Sequence, residues 1–198
     1  MLTQEPIKPE LRKWTRDEYH RAAALGIFDP SERLELLEGE IVQKMSPQSN
    51  PHASGVTLAA HALRAAFGPC FHVREEKPMV LSDLSEPEPD VTVVRGTPRE
   101  NQRHPTPGNT ALVMEVSETS LASDRSTKAA LYARHGVPEY WILNLRQRRL
   151  EIRRDPGLVG DGEYGYRYFQ VVLEDGQATA LEAPGQAIPV ADMLPSPL

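Results

Sequence analysis

The 198-residue sequence predicts a single α/β domain in which a sheet is packed by few helices and carries antiparallel strand pairs at its edges. Two observations predict this class. Helix-type and strand-type segments alternate along the chain. The composition, 39% hydrophobic and 25% charged residues, is that of an ordinary folded domain with one large core. We expect the domain to span 1–198, with a core at about 15–185 and tails at 1–12 and 192–198.

The first third of the chain shows a helix, a hairpin and a second helix. Thr15 and Glu18 match a capping box, so the spacing predicts a helix over about 16–25 that ends at Gly26. Two short apolar runs within 34–42 flank Glu38-Gly39-Glu40, a pattern typical of a hairpin. Asn50 followed by Pro51 predicts an N-cap and the first turn of a helix through about residue 67.

The remainder of the chain is predicted to be mostly strands. One further helix is expected from Asp124 to about His135, closed by Gly136. The predicted strands are 71–81, 90–95, 111–117, 140–143, 149–154, 164–173 and 178–181.

The charge pattern argues against indiscriminate binding to nucleic acid. The formal net charge is −6, whereas contacts to phosphate need positive charge. Residues 125–154 nevertheless contain eight Lys or Arg and only two acids. This segment is either a basic patch or the solvated edge of a strand, and composition alone favours neither.

Cysteine content and hydropathy bear on location. Cys70 is the single cysteine, so no internal disulfide can form, and this agrees with a reducing compartment. We expect its thiol to be buried and inert. The sequence contains neither an apparent signal peptide nor an apolar run of membrane-spanning length, which predicts a cytoplasmic protein without a membrane partner.

Three ionisable residues stand in elements that otherwise look buried. Asp90 opens the apolar run 91–94, Glu115 lies inside the apolar run 111–117, and Lys128 lies on the packing stripe of its helix. Carboxylates are rarely buried unless they are paired or bound to a metal, because desolvation of an isolated charge is costly. Two carboxylates at adjacent strand ends would repel each other unless a divalent cation or a shared proton lay between them.

The residues indicate which cation would suit such a site but leave the role of Lys128 open. Carboxylate oxygens are hard ligands and favour Mg²⁺ or Mn²⁺ over zinc. The side chain of Lys128 could extend along the core toward solvent, or it could place its ammonium group in the carboxylate cleft.

Beyond these three residues, the sequence resembles the Uma-type family of bacterial restriction-endonuclease-like proteins, which belong to the PD-(D/E)XK nuclease superfamily. The resemblance covers roughly residues 30–155. Its matching segments are 33–42, 45–47, 52, 88–91, 114–117, 124, 128, 132 and 136–142.

The resemblance implies a restriction-endonuclease-like mixed sheet flanked by helices, and a catalytic set of Asp90, Glu115 and Lys128. Asp90 and Glu115 would bind Mg²⁺ or Mn²⁺, with the carbonyl of Val116 as a further ligand. Ser117 stands where the superfamily pattern has its lysine, so Lys128 would take over that role from the following helix.

The same resemblance makes further residues candidates for supporting roles. They are Glu35, Glu40, His52, Ser117, Asp124 and Tyr132. Glu40 follows a hairpin glycine and is more often a solvated turn residue. His52 lies in a first helical turn, where it could contact a phosphate or cap the helix.

Three functions remain open at this level. The first is a metal-dependent endonuclease that hydrolyses phosphodiester bonds of DNA, acting as a homodimer because cutting both strands of a duplex usually needs two active sites. The second is a catalytically silent nuclease fold that binds nucleic acid or protein. The third is an interaction domain whose carboxylates merely pair with Lys128 and nearby arginines.

Overall fold

The computed structural model describes residues 11–44 and 49–197. Its helices are α1 (Arg16–Ala24), α2 (Asn50–Phe67), α3 (Leu121–Ser123) and α4 (Ala129–Arg134), with a π-helical turn at Asp124–Lys128 joining α3 to α4. Its strands are β1 (Leu34–Leu37), β2 (Glu40–Gln43), β3 (Phe71–Glu75), β4 (Val91–Arg95), β5 (Thr110–Ser117), β6 (Glu139–Asn144), β7 (Arg149–Gly160), β8 (Glu163–Leu173), β9 (Gln177–Ala178) and β10 (Ile188–Pro189). Short 3₁₀ turns occur at Pro107–Asn109 and Val190–Met193.

A six-stranded mixed sheet forms the centre of the fold. Its strand order is β3-β4-β5-β6-β7-β8, and β5 and β6 are parallel while the other neighbours are antiparallel. β1 pairs with β2 and β9 pairs with β10 in two separate hairpin-like pairs. This arrangement confirms the predicted α/β class.

Each face of the sheet is covered by different helices. Val56, Ala59 and Leu63 of α2 belong to a large apolar core with Met114 and Trp141, on one face. The opposite face carries a smaller core that contains helix residues Ala129 and Tyr132 and strand residues Val113, Tyr140 and Ile142. Because strand side chains alternate, Glu115 lies on this second face, beneath the helix that carries Lys128.

Local chemistry explains where the helices begin. The Thr15 hydroxyl accepts a hydrogen bond from the Glu18 amide and the Glu18 carboxylate accepts one from the Thr15 amide, which confirms the predicted capping box. For α2 the N-cap is Ser49, whose hydroxyl accepts a hydrogen bond of 3.2 Å from the His52 amide. The prediction of Asn50 as the cap was therefore wrong by one residue.

Several predicted strand boundaries were also wrong. The strand predicted over 71–81 ends at Glu75, because Glu76 has a positive φ of 48° and Pro78 lacks the amide proton that a strand interior needs. The strand predicted over 178–181 is reduced to β9. The third predicted helix starts earlier, at Leu121, and contains the π-helical turn.

The ends of the chain and Cys70 also depart from expectation. Met193 and Leu194 are buried in the larger core, so the C-terminal segment is not a tail up to that point. The side chain of Cys70 is exposed, since residues 69 and 70 form a turn outside the sheet. Tyr140 and Trp141 are fully buried, as expected for core aromatics. Within the described residues, no helix has the length and apolarity needed to cross a bilayer.

Candidate active site

The pairing of β4 with β5 brings the two predicted carboxylates together. Val91 is opposite Met114 in this antiparallel pair, so the preceding residue Asp90 is opposite Glu115. Directly opposed residues of an antiparallel pair project to the same face. Both carboxylates are buried, with residue exposures of 5% and 2%.

Backbone and ring contacts hold the Asp90 carboxylate in place. Its Oδ2 atom accepts a hydrogen bond of 2.8 Å from the Val116 amide. The Nε2 atom of His52, at the start of α2, lies 3.3 Å from the same oxygen. Burial lowers the pKa of His52, which favours a neutral ring at pH 7. His52 thus contacts Asp90 through its ring, while its amide donates to the Ser49 hydroxyl at the start of α2.

Lys128 places its ammonium group in the carboxylate cleft. Its Nζ atom lies 2.9 Å from Glu115 Oε1 and 3.8 Å from Glu35 Oε2. The Tyr132 hydroxyl donates a hydrogen bond of 2.8 Å to the same oxygen of Glu115, from one turn further along the helix. Of the two orientations that the sequence allowed for Lys128, the structure has the one inside the cleft.

Lys44 belongs to the cluster, and sequence reasoning missed it. Its Nζ atom lies 3.3 Å from Glu35 Oε1 and 3.7 Å from Asp90 Oδ1, and it donates a hydrogen bond to the Glu88 carbonyl. A signal for it existed. Glu35 pairs with Val42, so Lys44, two residues after Val42, lies on the same face of the hairpin as Glu35.

The cluster is short of positive charge. It combines the carboxylates of Asp90, Glu115 and Glu35 with the ammonium groups of Lys44 and Lys128, which leaves one carboxylate in excess.

Burial and neighbouring charges shift the pKa values in this cluster. Burial raises the pKa of both Asp90 and Glu115, although the nearby lysines oppose the shift. Burial alone would lower the pKa of Lys128, but Glu115 and Glu35 raise it above its ordinary value, so the ammonium stays charged. The carboxylates therefore retain protons more readily than in water unless further positive charge arrives.

Asp124 and Ser117 lie beside this cluster. The Ser120 hydroxyl donates a hydrogen bond of 2.6 Å to Asp124 Oδ2, and the Tyr140 hydroxyl donates one of 3.0 Å to the Asp124 carbonyl. Burial, with the charge of Glu115 second, raises the pKa of Asp124 to about 6. Asp124 Oδ1 and Ser117 Oγ are both buried, and Ser117 favours the ionised form of Asp124.

One predicted position, Glu40, is not brought to the site. Glu40 is exposed on β2, as its place after a hairpin glycine favoured. The segment 45–47 that carries part of the family resemblance falls outside the described residues. Glu35, His52, Ser117, Asp124 and Tyr132 all lie in or next to the cluster.

The donor set suits a hard divalent cation, although the described residues contain no preformed group of three or more His, Cys, Asp or Glu side chains placed to hold one. Asp90 and Glu115 supply two buried carboxylates on adjacent strands, and carboxylate oxygens are ligands that Mg²⁺ and Mn²⁺ prefer. An excess carboxylate and raised carboxyl pKa values both favour an added positive charge here.

Comparison with known proteins identifies the family. The sequence model of Uma2, described as "Putative restriction endonuclease", matches residues 16–191 of the chain. The chain belongs to the Uma2 family. No curated protein matches. A solved structure titled as a putative nuclease belonging to DUF820, from Anabaena variabilis, superposes with a TM-score of 0.66 at 16% sequence identity, and the match covers 90% of this chain and 96% of that one.

These matches confirm two predictions from the sequence. The Uma2 family is the one whose motifs the sequence resembles, and the structural neighbour confirms the nuclease-like fold. Together they support a nuclease.

Proposed function

We propose that this Uma2 protein is a metal-dependent endonuclease that hydrolyses phosphodiester bonds of DNA. One observation carries the proposal: the buried carboxylates of Asp90 and Glu115 converge from neighbouring strands, and the ammonium of Lys128 lies 2.9 Å from Glu115. Burying this many charges costs stability, and strongly perturbed groups cluster at functional sites. Membership of a restriction-endonuclease family agrees with this chemistry.

Asp90 and Glu115 would hold Mg²⁺ or Mn²⁺, with the Val116 carbonyl as a further ligand. When bound, the cation would supply charge stabilisation for the phosphodiester and a more acidic water. The Val116 amide fixes the orientation of Asp90, and the Tyr132 hydroxyl fixes that of Glu115. Both carboxylates are thus held in place before any ligand arrives, which is what electrostatic preorganisation requires.

The cationic side chains lie closer to solvent than the carboxylates do. Side-chain exposure is 16% for Lys44 and 10% for Lys128, against 7% for Asp90 and 2% for Glu35. A phosphodiester that enters from solvent would meet these partly exposed side chains before the more deeply buried carboxylates. We assign Lys128 to stabilising the negative charge on the reacting phosphate or orienting the attacking water, and Lys44 to holding a non-bridging phosphate oxygen.

A second candidate function is a binding module that retains the nuclease fold without cleaving. The observation that favours it is Ser117, which occupies the position where the superfamily pattern has a lysine and whose hydroxyl is buried beside Asp124. If Lys128 fails to replace that lysine in function, the site would bind metal and nucleic acid without turnover.

The test is cleavage of supercoiled plasmid and of single-stranded DNA in Mg²⁺, Mn²⁺ or EDTA. We expect metal-dependent cleavage by the native protein and a loss of at least a hundredfold in Asp90→Asn and Lys128→Met, because the first removes a proposed metal ligand and the second removes the ammonium proposed to act on the reacting phosphate. Glu40→Gln is the matched control, since it removes an exposed carboxylate outside the cluster. Metal binding without cleavage by the native protein would select the second candidate instead.

Two further proposals accompany this function. Cleavage of both strands of a duplex favours a homodimer with two active sites related by a twofold axis. A cytoplasmic location fits an enzyme that acts on DNA and the exposed thiol of Cys70, which a reducing compartment would keep free.

A further inference from the structure

A second charged cluster lies on the same face of the sheet as the candidate active site. Its centre is Glu151 of β7, whose side chain is completely buried. Three guanidinium groups surround this one carboxylate. They belong to Arg125 of the π-helical turn and to Arg149 and Arg153 of β7.

The cluster around Glu151 has a net positive charge. Arg125 donates to both carboxylate oxygens, Arg149 donates a hydrogen bond of 3.2 Å, and the Nη2 atom of Arg153 lies 3.7 Å away. Burial alone would raise the pKa of Glu151, but the hydrogen bonds from the arginines hold it below its ordinary value. One carboxylate thus neutralises one of three permanent charges.

The arginines also retain unused hydrogen-bonding capacity. Within the described ranges, the Nε atoms of Arg149 and Arg153 are buried and have no hydrogen-bond partner. The guanidinium of Arg153 lies over the ring of Phe169, 5.0 Å from its centroid, so its plane is held by stacking. Buried donors without an acceptor are uncommon in folded proteins, and here they coincide with excess positive charge. An anion from solvent would offset this charge by contacting the exposed parts of the guanidinium groups, whose side chains are 36% exposed in Arg125, 27% in Arg149 and 18% in Arg153.

The sheet register relates this cluster to the active site. Glu115 is paired with Ile142, and Ile142 is paired with Glu151, so the two acids lie in one transverse row two strands apart. Two strand spacings place the backbones about 10 Å apart. Phosphates of one DNA strand follow each other at about 3.4 Å along the helix axis, so one duplex could reach both clusters.

We propose that Arg125, Arg149 and Arg153 form a binding site for the phosphodiester backbone of duplex DNA, flanking the bond that is cut. This inference rests on the proposed function and adds the element that holds the substrate. It also explains how a protein of net charge −6 engages a polyanion, because the positive charge is concentrated beside the active site. The arginines position the duplex and do not act on the reacting phosphate.

The experiment measures binding of a short fluorescein-labelled duplex by anisotropy, in EDTA so that nothing is cleaved, across a series of salt concentrations. For the double variant Arg149→Gln with Arg153→Gln we expect weaker binding. The slope of log K for binding against log salt concentration should be shallower by about 1.8, the value for two lost phosphate contacts. Arg149→Lys with Arg153→Lys keeps the charge and should keep most of the slope.

The matched control is Arg99→Gln with Arg103→Gln. It removes the same charge from exposed residues of the loop after β4, at the end of that strand opposite Asp90. For this control we expect the slope of log K against log salt concentration to equal that of the native protein. Thermal melting of each variant reports its folding. If the double variant melts too early, the single variant Arg149→Gln, which leaves two guanidiniums on Glu151, should still lower the slope by about 0.9.

Several outcomes would overturn the inference. These are equal slopes for the two double glutamine variants, tighter binding of an RNA duplex than of DNA, or a change in oligomeric state with DNA binding intact, which would mark an interface between copies of the chain. Cleavage by the native protein is assayed separately in Mg²⁺. If the native protein does not cleave DNA, but the variant Arg149→Gln with Arg153→Gln shows a shallower salt dependence of binding, the proposed function is wrong and the proposed binding site is supported.

Discussion

At the scale of single residues, the candidate active-site cluster is a balance between buried carboxylates and two ammonium groups. Asp90 and Glu115 lose hydration without a full set of positive partners, and their pKa values rise in consequence. Lys128, by contrast, has four acids around it, Glu115, Glu35, Asp90 and Asp124. Removing a carboxylate and removing the lysine should therefore change stability in opposite directions.

The first prediction follows from this asymmetry. Asp90→Asn relieves repulsion and keeps an oxygen that can accept from the Val116 amide, so we expect its free energy of unfolding without metal to equal or exceed that of the native protein. Lys128→Met leaves Glu115 and Glu35 without that partner, and we expect a loss of about 3 kcal/mol. Urea denaturation in EDTA measures both. A larger loss for Asp90→Asn than for Lys128→Met would contradict the charge balance described here.

The second prediction concerns pH and Asp124. Its pKa is about 6 in the folded protein, against an ordinary value of 3.8, so the folded state binds a proton that the unfolded state has released between these values. The contribution of Asp124 to stability is therefore present below pH 3.8 and is lost as pH rises through 6.

The sign of this pH dependence is checked by denaturation of the native protein and of Asp124→Asn from pH 4 to pH 7.5, in EDTA. The free energy of unfolding of Asp124→Asn, relative to that of the native protein, should increase as pH rises, by up to about 3 kcal/mol across the titration. Ser120→Ala removes the hydrogen-bond donor to Asp124 and should shift the titration upward, since that bond favours the ionised form. A difference that does not vary with pH would refute the raised pKa.

At the scale of elements, the close approach of α2 to β5 sets the geometry around Asp90. A Cβ atom at Gly55 of α2 would lie 3.0 Å from Val116 Cγ1 and 3.2 Å from Leu145 Cδ2, so a larger residue there must push the helix and the strand apart. α2 also carries His52, and β5 carries the Val116 amide. The packing of α2 against β5 therefore affects the position of the Asp90 carboxylate.

The third prediction tests this link. Gly55→Ala should destabilise the protein by about 1 kcal/mol, because the clash outweighs the gain in helix propensity, and it should lower cleavage activity several-fold by displacing Asp90. Ser54→Ala, at the adjacent exposed position of the same helix, gains propensity without a clash and serves as the control. Full activity in Gly55→Ala would show that the packing of α2 does not determine the site.

The elements also show how far sequence reasoning reaches. The continuous apolar run 111–117 predicted the buried strand around Glu115, and helical periodicity placed Lys128 on the packing side of its helix. The π-helical turn at Asp124–Lys128 was not predicted, because the same residues fit an ordinary α-helix and only tertiary contacts, such as Tyr140 to the Asp124 carbonyl, distinguish the two. The hairpin register places Lys44 on the face of Glu35, but its contact with Asp90 depends on docking of the β1–β2 hairpin against the sheet, which sequence reasoning did not predict.

At the scale of the whole molecule, the sheet carries the two proposed functional clusters on one face. Asp90, Glu115 and Lys128 form the proposed centre of cleavage, and the arginines around Glu151 lie two strands away in the same row. α2 and the C-terminal residues Met193 and Leu194 pack on the opposite face as the larger core. Most of the apolar core is thus separated from the face that would meet DNA.

The fourth prediction concerns assembly. If the protein acts as a homodimer, light scattering should give twice the chain mass, and supercoiled plasmid should pass directly to the linear form as both strands are cut in one encounter. A monomer with one active site would instead accumulate nicked circles before any linear product. Accumulation of nicked circles by a protein of single-chain mass would contradict the proposed dimer.

The measurement that tests the central claim most directly is a crystal structure after a soak in Mn²⁺, with anomalous scattering used to locate the ion. We predict a Mn²⁺ peak coordinated by Asp90 and Glu115, with Lys128 still beside Glu115, and loss of that peak in crystals of Asp90→Asn. Absence of Mn²⁺ between these carboxylates at a concentration that saturates other sites would rule out a metal-dependent centre here, and would make the cluster a structural set of ion pairs.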